Sequence, residues 1–194
     1  MPQDPLSHHF TAMAYQNAWA NHRLLKACAG LVQADFVAQR TGFFPSIKAT
    51  LNHILAVDLF YMDAFEREAR ADMPHPCHTQ FFEVAEPFDT CQALHAAQAA
   101  VDQRWLAYCE ALEDASLSRT VTIVRAQTVQ CETCARLLAH VFGHQIHHRG
   151  QVHAMLSGTA VAPPQLDEFF CAMDAPRRAQ ELAELGWSEA RLWT

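Results

Sequence analysis

The sequence predicts an all-α protein: a bundle of four long helices, with a short extended arm before the fourth and a helical extension at the C-terminus. Apolar residues recur at helical spacing through four long stretches, each interrupted by Gly, Pro or a polar cap rather than by alternation. The β-branched, nearly alternating run Thr120-Val121-Thr122-Ile123-Val124 reads as a short strand or extended arm, too short to make a sheet of its own. With 194 residues and 51% hydrophobic composition, the chain is long enough for one large core. No repeat, low-complexity segment or linker divides it, so 1–194 reads as a single domain with 174–194 as a helical tail.

The first helix runs from about Ser7 to Leu31, with Phe10, Met13, Ala14, Trp19, Leu24, Leu25 and Cys28 on its stripe and Gly30 as its stop. Within it, Tyr15 to His22 mixes amides with aromatics, so part of its face is expected either to meet other polar groups inside or, equally, to be a hydrated helix face. Residues 32–45, with Asp35, Gly42 and Pro45, read as a connection. Ser46 caps a second helix that reaches about Ala71, with Ile47, Leu51, Ile54, Leu55, Leu59, Phe60, Met62 and Phe65 inward and His53 at the edge of that stripe. Asp72 to Pro87 is a loop holding Pro74, Pro76 and Pro87. At up to ~3.3 Å per residue it can span a helix ~39 Å long, so the second and third helices can run parallel through a crossover.

Asp89 or Thr90 caps the third helix, which carries Cys91, Leu94, Ala97, Val101, Trp105 and Tyr108 inward and ends near Leu112. The fourth begins near Cys131 and ends at Ser157 before Gly158. Gly143 and Gly150 each cost up to ~1 kcal/mol relative to Ala inside that helix, which close helix approach would explain. Ala162 to Phe170 is expected to turn through Pro163-Pro164 into a short helix, and Pro176 to Leu185 to form a last one stopped by Gly186. The tail from Trp187 to Thr194, with its two tryptophans, is expected to dock on the bundle or on a partner subunit.

Net charge and cysteine content narrow the function. A net charge of -7 without a Lys/Arg run leaves no footprint for nucleic acid or an anionic membrane. The start, Met1 to His9, has neither a basic nor an apolar leader region, and no long apolar run follows, so a soluble cytoplasmic protein is expected. Seven cysteines, an odd number, are expected to be reduced. Cys131-Glu132-Thr133-Cys134 has redox spacing but lacks the βαβ context and any second pair that would complete a zinc site.

The segment from His140 to His153 holds five of the twelve histidines. Positions four apart on a helix differ by only ~40°, so His144 and His148 project from one face, one turn apart, as two ligands of one metal would. Leu137, Val141, Val152 and Met155 lie on or beside the same stripe and turn the pair inward. For the pair alone, ordinary hydrogen bonding in the core remains an alternative. His53 on the second helix supplies a third nitrogen, and three ligands with an open position is the catalytic arrangement of zinc. His140, one turn before His144, and His147 are alternative ligands, supporting partners or proton carriers. Arg149 can orient a carboxylate and Gln151 can donate to a ligand, with surface roles equally open. A di-iron bundle would need Glu-x-x-His motifs, which are missing. In the frame His144-Gln145-Ile146-His147-His148, Gln145 replaces the Glu that a zinc peptidase uses as its base.

Trp19-Ala20-Asn21, Ser46-Ile47, Leu51-Asn52-His53-Ile54-Leu55, the run His140 to Val152 and Pro163-Pro164-Gln165-Leu166-Asp167 resemble the DinB family, bacterial metal-binding four-helix bundles named for damage-inducible expression. The likeness spans about residues 5 to 172, and the run from His140 is its specific part. It implies an up-down-down-up bundle, frequently a homodimer. It also implies a divalent metal, zinc or nickel, held by one His of the second helix and the His-x-x-x-His pair of the fourth, positions filled here by His53, His144 and His148. Relatives in this superfamily include thiol-dependent transferases, isomerases and hydrolases. The activity expected is therefore a metal-dependent thiol transferase whose partners are a small thiol and a small electrophile. The alternative is a non-catalytic stress-response protein with a structural or sensory metal. His153, about 180° from His144 around the helix, is expected to stand apart from the metal.

Overall fold

Ser46, Thr90 and Thr133 fix the starts of three of the four long helices. Each stands in extended backbone, and its hydroxyl accepts from an amide three residues on: Ala49 N at 3.0 Å, Ala93 N at 3.2 Å and Arg136 N at 3.4 Å. The helices are α1 (Leu6–Cys28), α3 (Ile47–Ala69), α4 (Cys91–Glu110) and α5 (Cys134–Leu156). A short α2 (Gln33–Val37) precedes α3, and α6 (Ala175–Glu184) and α7 (Glu189–Leu192) close the chain. The protein is represented by a computed structural model that describes residues 5–193. Residues 1–4 of the amino-terminal stretch and Thr194 of the tail lie outside the described residues.

Side-chain pairings give the direction of each helix. Along α1 and α4, Thr11 meets Cys109, Asn21 meets Asp102, and Leu25 meets Cys91, so the two run opposite ways. Asp58 meets Gln98 and Glu66 meets Arg104, so α3 and α4 run parallel. His53 meets His148 and Tyr61 meets His140, so α5 opposes α3. The bundle is up-down-down-up, and the long connection between α3 and α4, with one turn of 3-10 helix at His78–Phe82, is the crossover its length predicts. The core is built on Trp19, Phe65, Trp105 and Phe142, all buried. Among the described residues no helix is long and apolar enough to cross a membrane.

Several local expectations are corrected. Thr120–Val124, extended as expected, has a partner that the sequence does not announce: as β1 it pairs antiparallel with β2 (Val129–Thr133), in register Thr120 to Thr133 and Val124 to Val129. The residues from Cys131 to Thr133 therefore belong to a strand, and α5 starts at Cys134. Val121 and Ile123 face inward and the hairpin lies against α3, which supplies the burial a two-stranded unit lacks alone. Residues 33–37, read as connection, form α2, which buries Phe36. Residues 162–170 stay non-helical, two of their carbonyls accepting from α1 (Arg23 to Gln165 at 2.9 Å, Gln16 to Leu166 at 3.4 Å), and the short helix they turn into is a single 3-10 turn further on, at Ala172–Asp174. The C-terminal segment docks on the bundle as expected. Trp187 stacks edge-on to Tyr15 at 4.9 Å, and fully buried Arg178 forms a two-pronged pair with Glu189 at 2.8 Å on each arm.

Close helix approach does not account for Gly143 and Gly150. A Cβ at either would meet nothing within 4 Å, so both lie on the outer face of α5. Gly143→Ala and Gly150→Ala are each expected to raise stability by about 0.5–1 kcal/mol, read as a higher denaturation midpoint. A lower midpoint would mean that the outer face of α5 needs the absent side chain. Gly42 is different: a Cβ there would stand 2.6 Å from the Met155 Cε and 3.1 Å from the Phe44 carbonyl, so glycine lets the loop before α3 come down on α5.

Candidate metal centre

The antiparallel crossing of α3 and α5 brings His53 against the His144–His148 pair. One ring nitrogen from each of the three lies within 4.8 Å of the others, a group that could hold a metal ion. His53 Nε2 and His144 Nε2 are 3.0 Å apart, and the His144 and His148 ring centres 4.4 Å. Nitrogens on one tetrahedral zinc, at about 2.0–2.1 Å each, would stand ~3.3 Å from one another; the His53–His144 pair at 3.0 Å is close to that, and all three nitrogens lie within 4.8 Å. The side chains also fit by chemistry. Two neutral imidazoles cannot point lone pairs at each other at this distance; one must donate, or a cation must take both.

Gln151 sets the orientation of His148. Its Oε1 lies 2.8 Å from His148 Nδ1 and can only accept, which leaves the Nε2 lone pair free. Its Nε2 lies 3.1 Å from His147 Nε2. His144 Nδ1 is buried without a hydrogen-bond partner. Burial, reinforced by His148, pushes the His53 imidazole down to about 4. Burial, reinforced by His148, His53, His140 and His147, pushes His144 down to about 3. His148 is lowered by burial against the opposing bond to Gln151. All three are neutral at pH 7, the state in which imidazole binds metal.

Two other candidates fall outside the group. His140 is exposed and lies edge-on to Tyr61 at 5.4 Å, with its ring 6.4 Å from that of His144. His147 is exposed and tied to Gln151. Phe44 has no signal in the sequence, being a loop aromatic, yet its ring covers His53 at 4.3 Å and touches His148 at 5.5 Å. Gln145 is fully buried, turned away from the imidazoles and toward Asp58. Cys131 is exposed on β2, whereas Cys134 is buried with its sulfur 3.4 Å from the Tyr108 hydroxyl; all seven cysteines are free.

Behind the imidazoles runs a buried polar network. The Arg149 guanidinium, 2% exposed, donates through Nη1 to the Oδ1 atoms of Asn17 and of Asn21, the latter at 2.9 Å. Asn21 Nδ2 donates to Asp102 at 2.9 and 3.2 Å. Gln98 Nε2 bridges Asp58 at 2.7 Å and Asp102 at 3.1 Å. Burial and the Asp102 charge push the Asp58 carboxyl up, against Gln98, Gln145 and Arg149. Burial likewise raises Asp102, against Gln98, Asn21 and Arg149. Gln145 favours the charged form of Asp58 by proximity, without a hydrogen bond of normal geometry. The amides expected to face inward on α1 are thus Asn17 and Asn21, and Arg149 belongs to the interior.

A family model described as the DinB family matches residues 3–181, a span that includes all three imidazoles of the cluster. Protein DinB of Bacillus subtilis (strain 168) is 26% identical over 155 residues, covering 76% of this chain and 85% of that protein.

Proposed function

The chain belongs to the DinB family, and from that premise we propose a metal-dependent enzyme of the thiol-transferase type. In it, His53, His144 and His148 hold one divalent cation, zinc or nickel, and a small thiol is joined to a small electrophile. What supports this most is the donor set: three convergent imidazoles, neutral at pH 7, from two helices. The cation would supply Lewis acidity, keeping a thiol deprotonated at neutral pH. Gln151 fixes the tautomer of His148, and the Phe44 ring walls one side of the cluster against water. Self-association as a homodimer is part of the same proposal, and sedimentation at micromolar concentration tests it.

Zinc-loaded or nickel-loaded protein, given a panel of low-molecular-weight thiols with electrophilic test compounds, is expected to consume free thiol faster than metal-stripped protein. No rate above that control across a broad panel would sink the transferase reading. The cover that Phe44 places over two of the rings favours a second reading, a structural or sensory metal without turnover. A fourth protein ligand in the metal-loaded structure would favour that alternative, and a water at the fourth position would favour the enzyme.

A further inference from the structure

We propose that His22 and His95 form a second transition-metal site, separate from the three-histidine cluster, where α1, α4 and α6 meet. His22 Nδ1 lies 3.1 Å from His95 Nε2, with ring centres 5.1 Å apart. Two ring nitrogens this close either share a proton or converge on a cation. The far side of His22 sets which of its nitrogens faces His95. Its Nε2 is 2.8 Å from Glu184 Oε2, and a carboxylate can only accept, so neutral His22 carries its hydrogen on Nε2 and turns the Nδ1 lone pair toward His95. A carboxylate behind the ring is the recurring support of a metal-bound histidine. Glu184 is itself held, by Lys26 at 2.6 Å and Gln180 at 3.0 Å.

Beside the two rings is a cavity of about 20 Å³, which Asp102 and Gln103 also line. One water or ion needs about 10–15 Å³, so the space admits a single small occupant and no organic ligand. Imidazole pairs select zinc, nickel or copper(II) over magnesium and calcium, which take oxygen ligands. With two protein nitrogens and water completing the shell, this site binds more weakly than the triad. It joins α1 to α4, and through Glu184 it bears on α6, so occupancy fastens the C-terminal extension to the bundle.

The test is a zinc titration of untagged, metal-stripped protein carrying His53→Ala and His148→Ala, which silences the first cluster. One zinc per chain is expected to remain. Adding His95→Ala should lower its affinity at least tenfold, and Glu184→Gln, which leaves both nitrogens in place, by about 10–100-fold. No zinc binding in the double variant, or binding unchanged by both His95→Ala and His22→Ala, would overturn the proposal. If the double variant does not fold by circular dichroism, the count is made against the wild-type background: one zinc fewer per chain in His95→Ala than in wild type is expected, and equal counts overturn the site.

Discussion

Arg149→Met is expected to destabilise the bundle by about 3–5 kcal/mol, as removal of one partner from a buried ion cluster does. In a chain of this size that is a melting temperature lower by about 6–20 °C. The guanidinium lies 2% exposed, its charge works with the neighbouring amides against the burial that raises Asp58 and Asp102, and methionine replaces its volume but not its charge. The loss should therefore depend on pH in a way that a packing defect would not. Asp58 is pushed from 3.8 in the unfolded chain up to about 7 in the folded one, so the folded state binds the extra proton between those values. Its contribution falls as pH rises through that window. Without Arg149 both carboxyl groups shift further up, so the variant should be weakest at pH 8 and recover toward pH 5. Adding Asp58→Asn should restore part of the loss at pH 8. A loss under about 1 kcal/mol, equal at pH 5 and pH 8, would show that the guanidinium does not neutralise this network.

How much of this was legible in the sequence follows from whether the signal is local. Ser46 and Thr90 announce their helices because a cap acts within three residues. The inward turn of His144 and His148 follows from spacing on one helix, and the crossover from loop length. The network also left a periodic trace: Asn17 and Asn21, Gln98 and Asp102, Gln145 and Arg149 are polar pairs four apart on core-facing sides, and Asp58 sits among apolar neighbours. The α1 pair is legible beside Trp19, but which helix answers it depends on a partner more than a hundred residues away. β2 was hidden because Val129 to Thr133 adjoins the strong helical pattern of α5 and is a strand only when paired with β1. His22 and His95 are each unremarkable in sequence, and 73 positions separate them. Phe44 reaches His53 from the loop before α3, and a loop aromatic carries no periodic signal.

The ligand assignment makes the other large prediction. In a His95→Ala background, where the three-histidine cluster is the remaining group, protein loaded with zinc is expected to retain one ion per chain. Replacing His53, His144 or His148 with Ala removes one of three nitrogens and should bring that count near zero after dialysis. His153→Ala is the control: it lies on the last turn of α5, outside the cluster, and should leave the count unchanged. Binding confined to the folded state adds RT ln(1 + [L]/Kd), about 4 kcal/mol at a thousandfold excess over Kd. A chelator should then lower the melting temperature of the loaded protein by about 8–16 °C. The three ligand variants should not respond to it, because they hold no ion to remove. His140→Ala and His147→Ala should respond as the parent does, since His140 packs on Tyr61 and His147 reaches the cluster only through Gln151. If His53→Ala and His148→Ala kept a full equivalent of zinc and the same chelator shift, the triad would be the wrong set, and His140 with His147 would have to supply the nitrogens.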